Sequence, residues 1–272
     1  MPTYRLLWIL LLYPLLSSCD RATPDQPAAT PAYIFPRAPA VSDAQGRPHD
    51  SLTFYLPPVD SLYAYYPEDL PGSSRDARHD FLTHLSAELY YFGAPVLANV
   101  PQPGRTWRAL RHSGFDYTTL FTVRETAPGR AQLRIQTLDR HPRIGGPTAP
   151  PPPPPVLRDA AGRLIPRDTS TTPEHRAYEA WARQPPQLVC DTTFALTAAQ
   201  RQQVLRHFEQ TLPAQSGVSN DIADCCDGAS WLLEAQTPGQ YRFWLHREGS
   251  STQGLAGWLL QQGRRARCLP PE

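Results

Sequence analysis

The chain has 272 residues, of which 32 are proline, and its 26 basic and 25 acidic side chains give a formal net charge of +1. A charge so near neutrality, without a basic domain, argues against nucleic acid as a partner. The proline content is more than twice the average usage of ~5 %, so part of the chain is predicted to be linker rather than packed core.

The amino terminus has the pattern of an export signal. Arg5 precedes an apolar run at positions 6–16, which is too short to span a bilayer but has the length of a secretory signal core. The tetrapeptide Leu16-Ser17-Ser18-Cys19 resembles the lipobox of bacterial lipoproteins, in which the cysteine receives a diacylglycerol before the chain is cleaved in front of it. The resemblance implies removal of residues 1–18 and fatty acids such as palmitate on Cys19. A secreted protein with a chance cysteine, or a buried apolar segment, is the alternative.

Residues 19–60 are predicted to form a proline-rich tether. Its many prolines lie among Ala, Thr and Asp residues, a composition that buries too little apolar surface to offset the entropy of ordering. The apolar island at 52–56 is expected to dock on the folded domain as an edge strand. The anchor and tether imply a location in the cell envelope, on a bacterial membrane and facing the periplasm or the cell surface.

Residues 61–272 are predicted to form a single α+β domain. A proline-rich insertion at about 141–186 interrupts it, and the consecutive prolines at 150–155 favour a stiff rod without internal hydrogen bonds. We interpret this tract as an exposed insertion between two strands; a docking ligand for an aromatic groove is the alternative.

Before the insertion, the sequence predicts one helix and three strands. Apolar residues recur at helical spacing over 81–92, and Gly93 with Pro95 ends the pattern, which predicts a helix over about 75–91. Strands are predicted at 106–111, 117–125 and 130–138, and the last two form a hairpin through Pro128-Gly129.

After the insertion, a strand at 188–196 leads into Thr197-Ala198-Ala199-Gln200, which has the form of a helix-starting capping box. That helix ends at Pro213. A strand pair at 230–235 and 240–247 follows around Thr237-Pro238-Gly239, and then a short helix at 255–262. This order predicts an α+β fold with an antiparallel β-sheet of about five to six strands and two to three helices packed on one face.

Several short motifs resemble those of a family of uncharacterised bacterial exported proteins. They are FGAPVLAN at 92–99, WRALRH at 107–112, and DGASWLLE at 227–234 followed by QYRF at 240–243. The resemblance covers about residues 80–138 and 188–262 and departs from the family pattern at Ala94, where an acid is expected. It implies a helix that leads into strands. Membership of this family would imply no particular activity, so the resemblance concerns the fold rather than the function.

Four cysteines follow the lipidation site: Cys190, Cys225, Cys226 and Cys268. An even number of thiols in an exported protein is expected to pair as disulfides. Neighbouring residues on extended chain point to opposite faces, so Cys225 and Cys226 are each expected to bond one of the other two cysteines. The alternative is a vicinal disulfide between them that acts as a redox switch.

Two sets of polar residues are candidates for catalysis or metal binding. Asp227 and Glu234 could be paired carboxylates for glycoside hydrolysis, although a turn at Asp227 and an exposed or ion-paired Glu234 explain them as well. Asp80, His84 and Glu88 recur at four-residue steps, and His84 with Glu88 could bind a metal. A solvated polar stripe on the helix is the preferred interpretation. We therefore predict no metal ligands and no cofactor.

The aromatic residues of the last strand pair, Trp231, Tyr241 and Trp244, could bind sugar or peptide, but core packing is the default for aromatics in strands. The sequence as a whole predicts a non-enzymatic, lipid-anchored envelope protein whose domain binds an envelope protein or glycan, or serves structurally. A hydrolase acting on glycan or cell-wall material is the alternative.

Overall fold

A computed structural model of the chain describes the greater part of the predicted domain. The described residues are 38–57, 75–113, 117–142, 157–158, 164–165, 184–213, 216–218, 229–249 and 253–270, with single positions at 173, 176 and 180. The predicted signal, Cys19, the prolines at 150–155, Cys225, Cys226 and Asp227 lie outside these residues.

The strands of the structure are β1 (Thr106–Ser113), β2 (Thr119–Ala127), β3 (Arg130–Leu138), β4 (Leu157–Arg158), β5 (Leu164–Ile165), β6 (Leu188–Ala195), β7 (Gly217–Val218), β8 (Ala229–Thr237) and β9 (Gln240–Arg247). The long strands form one antiparallel sheet in the order β6-β3-β2-β1-β8-β9, and the short β7 adds in parallel to the free edge of β9. The β4–β5 pair is separate. The predicted α+β fold with an antiparallel sheet is confirmed.

Two proline–glycine turns close the hairpins of this sheet. Ala127 pairs with Arg130 across Pro128-Gly129, and Thr237 pairs with Gln240 across Pro238-Gly239. The two glycines have φ values of 75° and 76°, which residues with a Cβ rarely adopt. The proline before each glycine has its own φ fixed near −65° by its ring. Each turn therefore needs this pair of residue types in this order.

The helices are α1 (Arg75–Tyr91), α2 (Ala198–Thr211) and α3 (Gln253–Arg265). The predicted capping box starts α2: the backbone N–H of Gln200 donates to the Thr197 hydroxyl at 3.2 Å, and the backbone N–H of Thr197 donates to the Gln200 side chain at 3.0 Å. Among the described residues, no helix has both the length and the apolar character needed to cross a bilayer.

The helices cover both faces of the sheet. α1 and residues 92–97 pack on the face that carries Leu110 and Leu232, whereas α2 and α3 pack on the opposite face, against Ala109 and Leu233. Successive side chains of a strand point to opposite faces, so each of these neighbouring pairs is divided between two layers. This corrects the prediction that the helices pack on one face: the central strands are apolar on both faces, and each face needs its own cover.

Residues 38–57, which the prediction assigned to a tether over 19–60, belong to the folded unit. The side chain of Asn99 accepts the backbone N–H of Ala38 at 2.7 Å and donates to the hydroxyl of Ser42 at 2.6 Å. Tyr55 has no exposed surface, and its hydroxyl donates to the carbonyl of Ala94 at 2.9 Å. The apolar island docks as expected, but through side chains and turns rather than as an edge strand.

A disulfide joins Cys190 of the edge strand β6 to Cys268, just beyond α3, with Cα atoms 5.4 Å apart. The expectation that these two cysteines pair separately with Cys225 and Cys226 is therefore wrong. The alternation of side chains along β6 places Cys190 on the sheet face that α2 and α3 cover. Cys268 follows the end of α3 and lies in the same core.

Candidate functional site

A buried carboxylate lies where the end of α1 meets the sheet. Glu88 is in the last turn of α1, and its side chain is 1 % exposed. The end of β1, the residue before β2 and the segment after β3 bring His112, Thr118 and His141 to it. Leu110 packs on the α1 face, so strand alternation also places His112 on that face.

One oxygen of Glu88 is the shared contact of these three side chains. Its Oε1 lies 2.8 Å from Nδ1 of His112 and 2.7 Å from Nδ1 of His141, and it accepts the Thr118 hydroxyl at 3.2 Å. The two imidazole rings are 4.7 Å apart between centroids. The other oxygen, Oε2, is buried and has no hydrogen-bond partner.

The orientation of the His141 ring is fixed from its far side. Its Nε2 lies 2.5 Å from the backbone carbonyl oxygen of Ser113. A carbonyl oxygen only accepts hydrogen bonds, so Nε2 carries a hydrogen. The remaining nitrogen, Nδ1, is left facing Glu88 and, at 2.8 Å, the Thr118 hydroxyl.

Two opposing effects set the pKa of Glu88. Burial raises the pKa, but the charges and hydrogen bonds of His112 and His141 outweigh burial and lower the pKa to about 2. Glu88 is therefore an ionised carboxylate inside the fold at neutral pH.

Glu88, His112 and His141 each offer one ligand atom, and these atoms all lie within 4.8 Å of one another. Two imidazole nitrogens and a carboxylate oxygen are donor types that bind Zn²⁺ and neighbouring transition metals. This group, here called the Glu88 triad, can hold protons or a divalent cation.

The prediction of a solvated stripe formed by Asp80, His84 and Glu88 is wrong for Glu88, which is buried. His84 is half-buried and is not part of the triad, and the side chain of Asp80 is outside the described residues. His112 and His141 carry no local signal because they lie 24 and 53 residues from Glu88.

Glu234, the described member of the candidate acid pair, is fully buried in an ion pair. Its Oε2 accepts Nε of Arg108 at 2.6 Å, and its Oε1 accepts the Tyr241 hydroxyl at 2.9 Å. Arg108 also donates to the carbonyl of Pro95 at 2.8 Å. Of the two interpretations of Glu234, exposed or ion-paired, the second is correct, and its side chain has no exposed surface.

A cavity of about 210 Å³ lies beside this ion pair, with Arg108, Arg124 and Arg134 in its wall. Threonine and glutamine side chains complete the polar lining, and no carboxylate is among the described residues that form it. The cavity therefore lacks the two acids that glycoside hydrolysis requires.

The aromatic residues of the last strand pair do not form one surface. Trp231 is buried on the face covered by α2 and α3, where it stacks on Phe121, while Tyr241 is buried on the α1 face. Trp244 packs half-buried at the edge of the core that contains Trp231. The sheet thus divides the candidate sugar- or peptide-binding cluster. The interpretation that these aromatic residues pack in the core is correct.

Comparison with known proteins adds no relative: no family model matches the chain, and neither curated proteins nor solved structures provide a match. The likeness of its motifs to exported bacterial proteins stays a prediction from the sequence.

Proposed function

We propose that the chain is a lipid-anchored protein of the bacterial cell envelope whose α+β domain is a binding or structural module. The observation that supports this most is the disulfide between Cys190 and Cys268. Disulfides form and persist in oxidising compartments and are rare in the reducing cytosol. An oxidised pair inside the domain agrees with the predicted export signal and with the lipobox that ends at Cys19.

The alternative, a hydrolase of glycan or cell-wall material, loses support from the surroundings of Glu234. A general acid must reach the substrate oxygen, and a nucleophile must reach the sugar carbon. Both oxygens of Glu234 instead bind Arg108 and Tyr241 inside the core. A binding or structural role requires no such exposed pair.

The anchor is tested by expressing the full chain in a bacterium supplied with labelled palmitate. We expect the wild-type chain to take up label and to partition into detergent, and Cys19→Ala to do neither. Cys225→Ser is the matched control, because it removes a cysteine elsewhere and should keep the label. An unlabelled wild-type chain that stays in the aqueous phase would contradict the proposal.

The hydrolase alternative has its own assay. The full chain is incubated with purified peptidoglycan, and soluble fragments are separated by chromatography. We expect no release beyond that of buffer, whereas a release that disappears in a Glu234→Gln variant shown by circular dichroism to be folded would restore the alternative.

A further inference from the structure

We propose that the Glu88 triad is a binding site for a divalent transition metal of the zinc type, with His112 and His141 as nitrogen ligands through Nδ1 and Glu88 as the carboxylate ligand. This inference goes beyond the proposed envelope function and does not depend on the lipid anchor.

The spacing of the ligand atoms supports the site. Nitrogen and oxygen ligands bind zinc at ~2.0–2.1 Å, so atoms at two corners of a tetrahedron around it are about 3.3 Å apart. Oε1 of Glu88 lies 2.8 and 2.7 Å from the two Nδ1 atoms, and the whole set is within 4.8 Å. An ion held by all three groups therefore needs the carboxylate oxygen to move about half an ångström away from both nitrogens. It also needs the two rings to turn toward each other until their nitrogens are about 3.3 Å apart, within the 4.8 Å that the set now spans.

The hydrogen bond behind His141 is the kind that accompanies metal binding. A metal-bound histidine usually donates its other ring N–H to a carbonyl or carboxylate, which fixes the tautomer and aims the lone pair at the ion. Nε2 of His141 makes this contact with the Ser113 carbonyl at 2.5 Å. The backbone thus selects the tautomer in which Nδ1 can act as a ligand.

The Glu88 carboxylate provides a second, independent observation. Its Oε2 is buried and has no hydrogen-bond partner, although buried polar atoms are almost always paired. A cation in the triad would engage the charge of this carboxylate. It would also relieve the crowding of three donors on the single oxygen Oε1.

The competing occupant of the triad is the proton. Without a metal, a hydrogen on Nδ1 of His141 can lie between that nitrogen and Glu88 Oε1, while Nε2 donates to the Ser113 carbonyl. A metal would replace the proton on Nδ1 and leave the one on Nε2. Metal binding should therefore release protons, as is general for imidazole ligands.

The composition and exposure of the triad indicate the class of ion. Calcium and magnesium prefer sites made of oxygen, whereas two imidazoles favour Zn²⁺, Co²⁺, Ni²⁺ or Fe²⁺. The side chains of His112 and His141 are 22 % and 33 % exposed, which gives an ion access from solvent. Three protein ligands leave a coordination position open, as in exchangeable or catalytic sites rather than closed structural ones.

The experiment uses the full-length chain, purified in detergent, stripped with a chelator and dialysed. Zn²⁺ is titrated by calorimetry, and Co²⁺ by its visible absorption, which reports coordination directly. We expect one ion per chain, release of protons on binding, and metal-dependent changes of the ¹⁵N shift at Nδ1 in two histidines.

Variants locate the ion. Glu88→Gln and His141→Gln should weaken the binding of Zn²⁺ by more than about 100-fold, the upper range for loss of a supporting residue alone. His49→Gln removes an exposed histidine outside the triad and should bind like the wild type. Circular dichroism checks the fold of each variant. The ¹⁵N shifts of the wild-type chain need no variant, so the test stands even if a substitution prevents folding.

Two outcomes would overturn the inference. One is a wild-type chain that binds neither Zn²⁺ nor Co²⁺ and shows no change at Nδ1. The other is binding that survives His141→Gln unchanged or is lost in His49→Gln, since either result places the ion elsewhere.

Discussion

Arg108 and Glu234 lie directly opposite each other on the neighbouring strands β1 and β8, and their side chains form an ion pair that is 1 % and 0 % exposed. Cross-strand partners are the closest neighbours that a sheet offers. The pair is therefore a product of the sheet register. It gives the α1 face of the core a charged contact at a fixed position.

Removal of one partner of this pair should destabilise the domain strongly. Glu234→Gln leaves the Arg108 charge buried without its counterion, which typically costs about 3–5 kcal/mol. Urea unfolding followed by circular dichroism measures the loss, and Glu209→Gln on the exposed side of α2 serves as the control with little effect. The double substitution Arg108→Met with Glu234→Leu should recover much of the stability. A double variant no more stable than Glu234→Gln would show that the ion pair is not the cause.

The disulfide between Cys190 and Cys268 should contribute several kcal/mol to stability. It joins residues separated by 78 positions, and in the chain-entropy model a loop of that size corresponds to about 4 kcal/mol. We expect Cys190→Ser to lower the urea midpoint. In the wild-type chain, maleimide in denaturant should modify Cys268 only after the disulfide has been reduced. Labelling of Cys268 without reductant would mean that the bond is absent.

Two glycines of α3 should respond oppositely to the same substitution. A Cβ on Gly257 would meet nothing within 4 Å, so Gly257→Ala should stabilise the domain by up to about 1 kcal/mol through helix propensity. A Cβ on Gly263 would lie 2.6 Å from Cδ1 and 3.1 Å from Cγ of Leu269. Gly263→Ala should therefore be less stable than Gly257→Ala by roughly 1–3 kcal/mol, the usual cost of overpacking. Equal unfolding midpoints for the two variants would contradict this packing.

The ion pair between Arg134 and Asp191 should make a small contribution that depends on pH. The hydrogen bond from Arg134 lowers the pKa of Asp191, against a smaller opposing effect of burial. A lowered pKa in the folded state stabilises the fold above the unfolded pKa near 3.9, and this stabilisation is lost as the pH falls through the folded pKa.

Asp191→Asn tests this dependence. Both side chains are more than a third exposed, so solvent screening limits the expected loss at pH 7 to about 1 kcal/mol or less. The difference between variant and wild type should shrink when the pH is lowered below 4. A difference that stays constant between pH 7 and pH 3 would show that the carboxylate charge is not involved.

Local patterns in the sequence were sufficient for most of the secondary structure. The spacing of apolar residues predicted α1, and the Thr197–Gln200 capping box and the two proline–glycine pairs predicted the start of α2 and the hairpins. These features depend on residues within a few positions of one another. They say nothing about which face of the sheet each helix covers.

The Glu88 triad could not be predicted in the same way. Glu88 comes from a helix, His112 from the end of a strand, and His141 from the start of the predicted proline-rich insertion. Only the pairing of β1, β2 and β3 brings them together. A helical glutamate at i,i+4 from a histidine is usually a solvated residue, and burial of Glu88 is visible only once the sheet is assembled against α1.

The contacts of Ala38 determine how a mechanical load applied at this residue would enter the domain. The side chain of Asn99 makes two hydrogen bonds to this residue: it accepts the Ala38 N–H at 2.7 Å and donates to the Ala38 carbonyl at 3.0 Å. A load applied at Ala38 is therefore carried by the Asn99 side chain rather than by a strand ladder. Breaking these two hydrogen bonds leaves the pairing of the sheet intact.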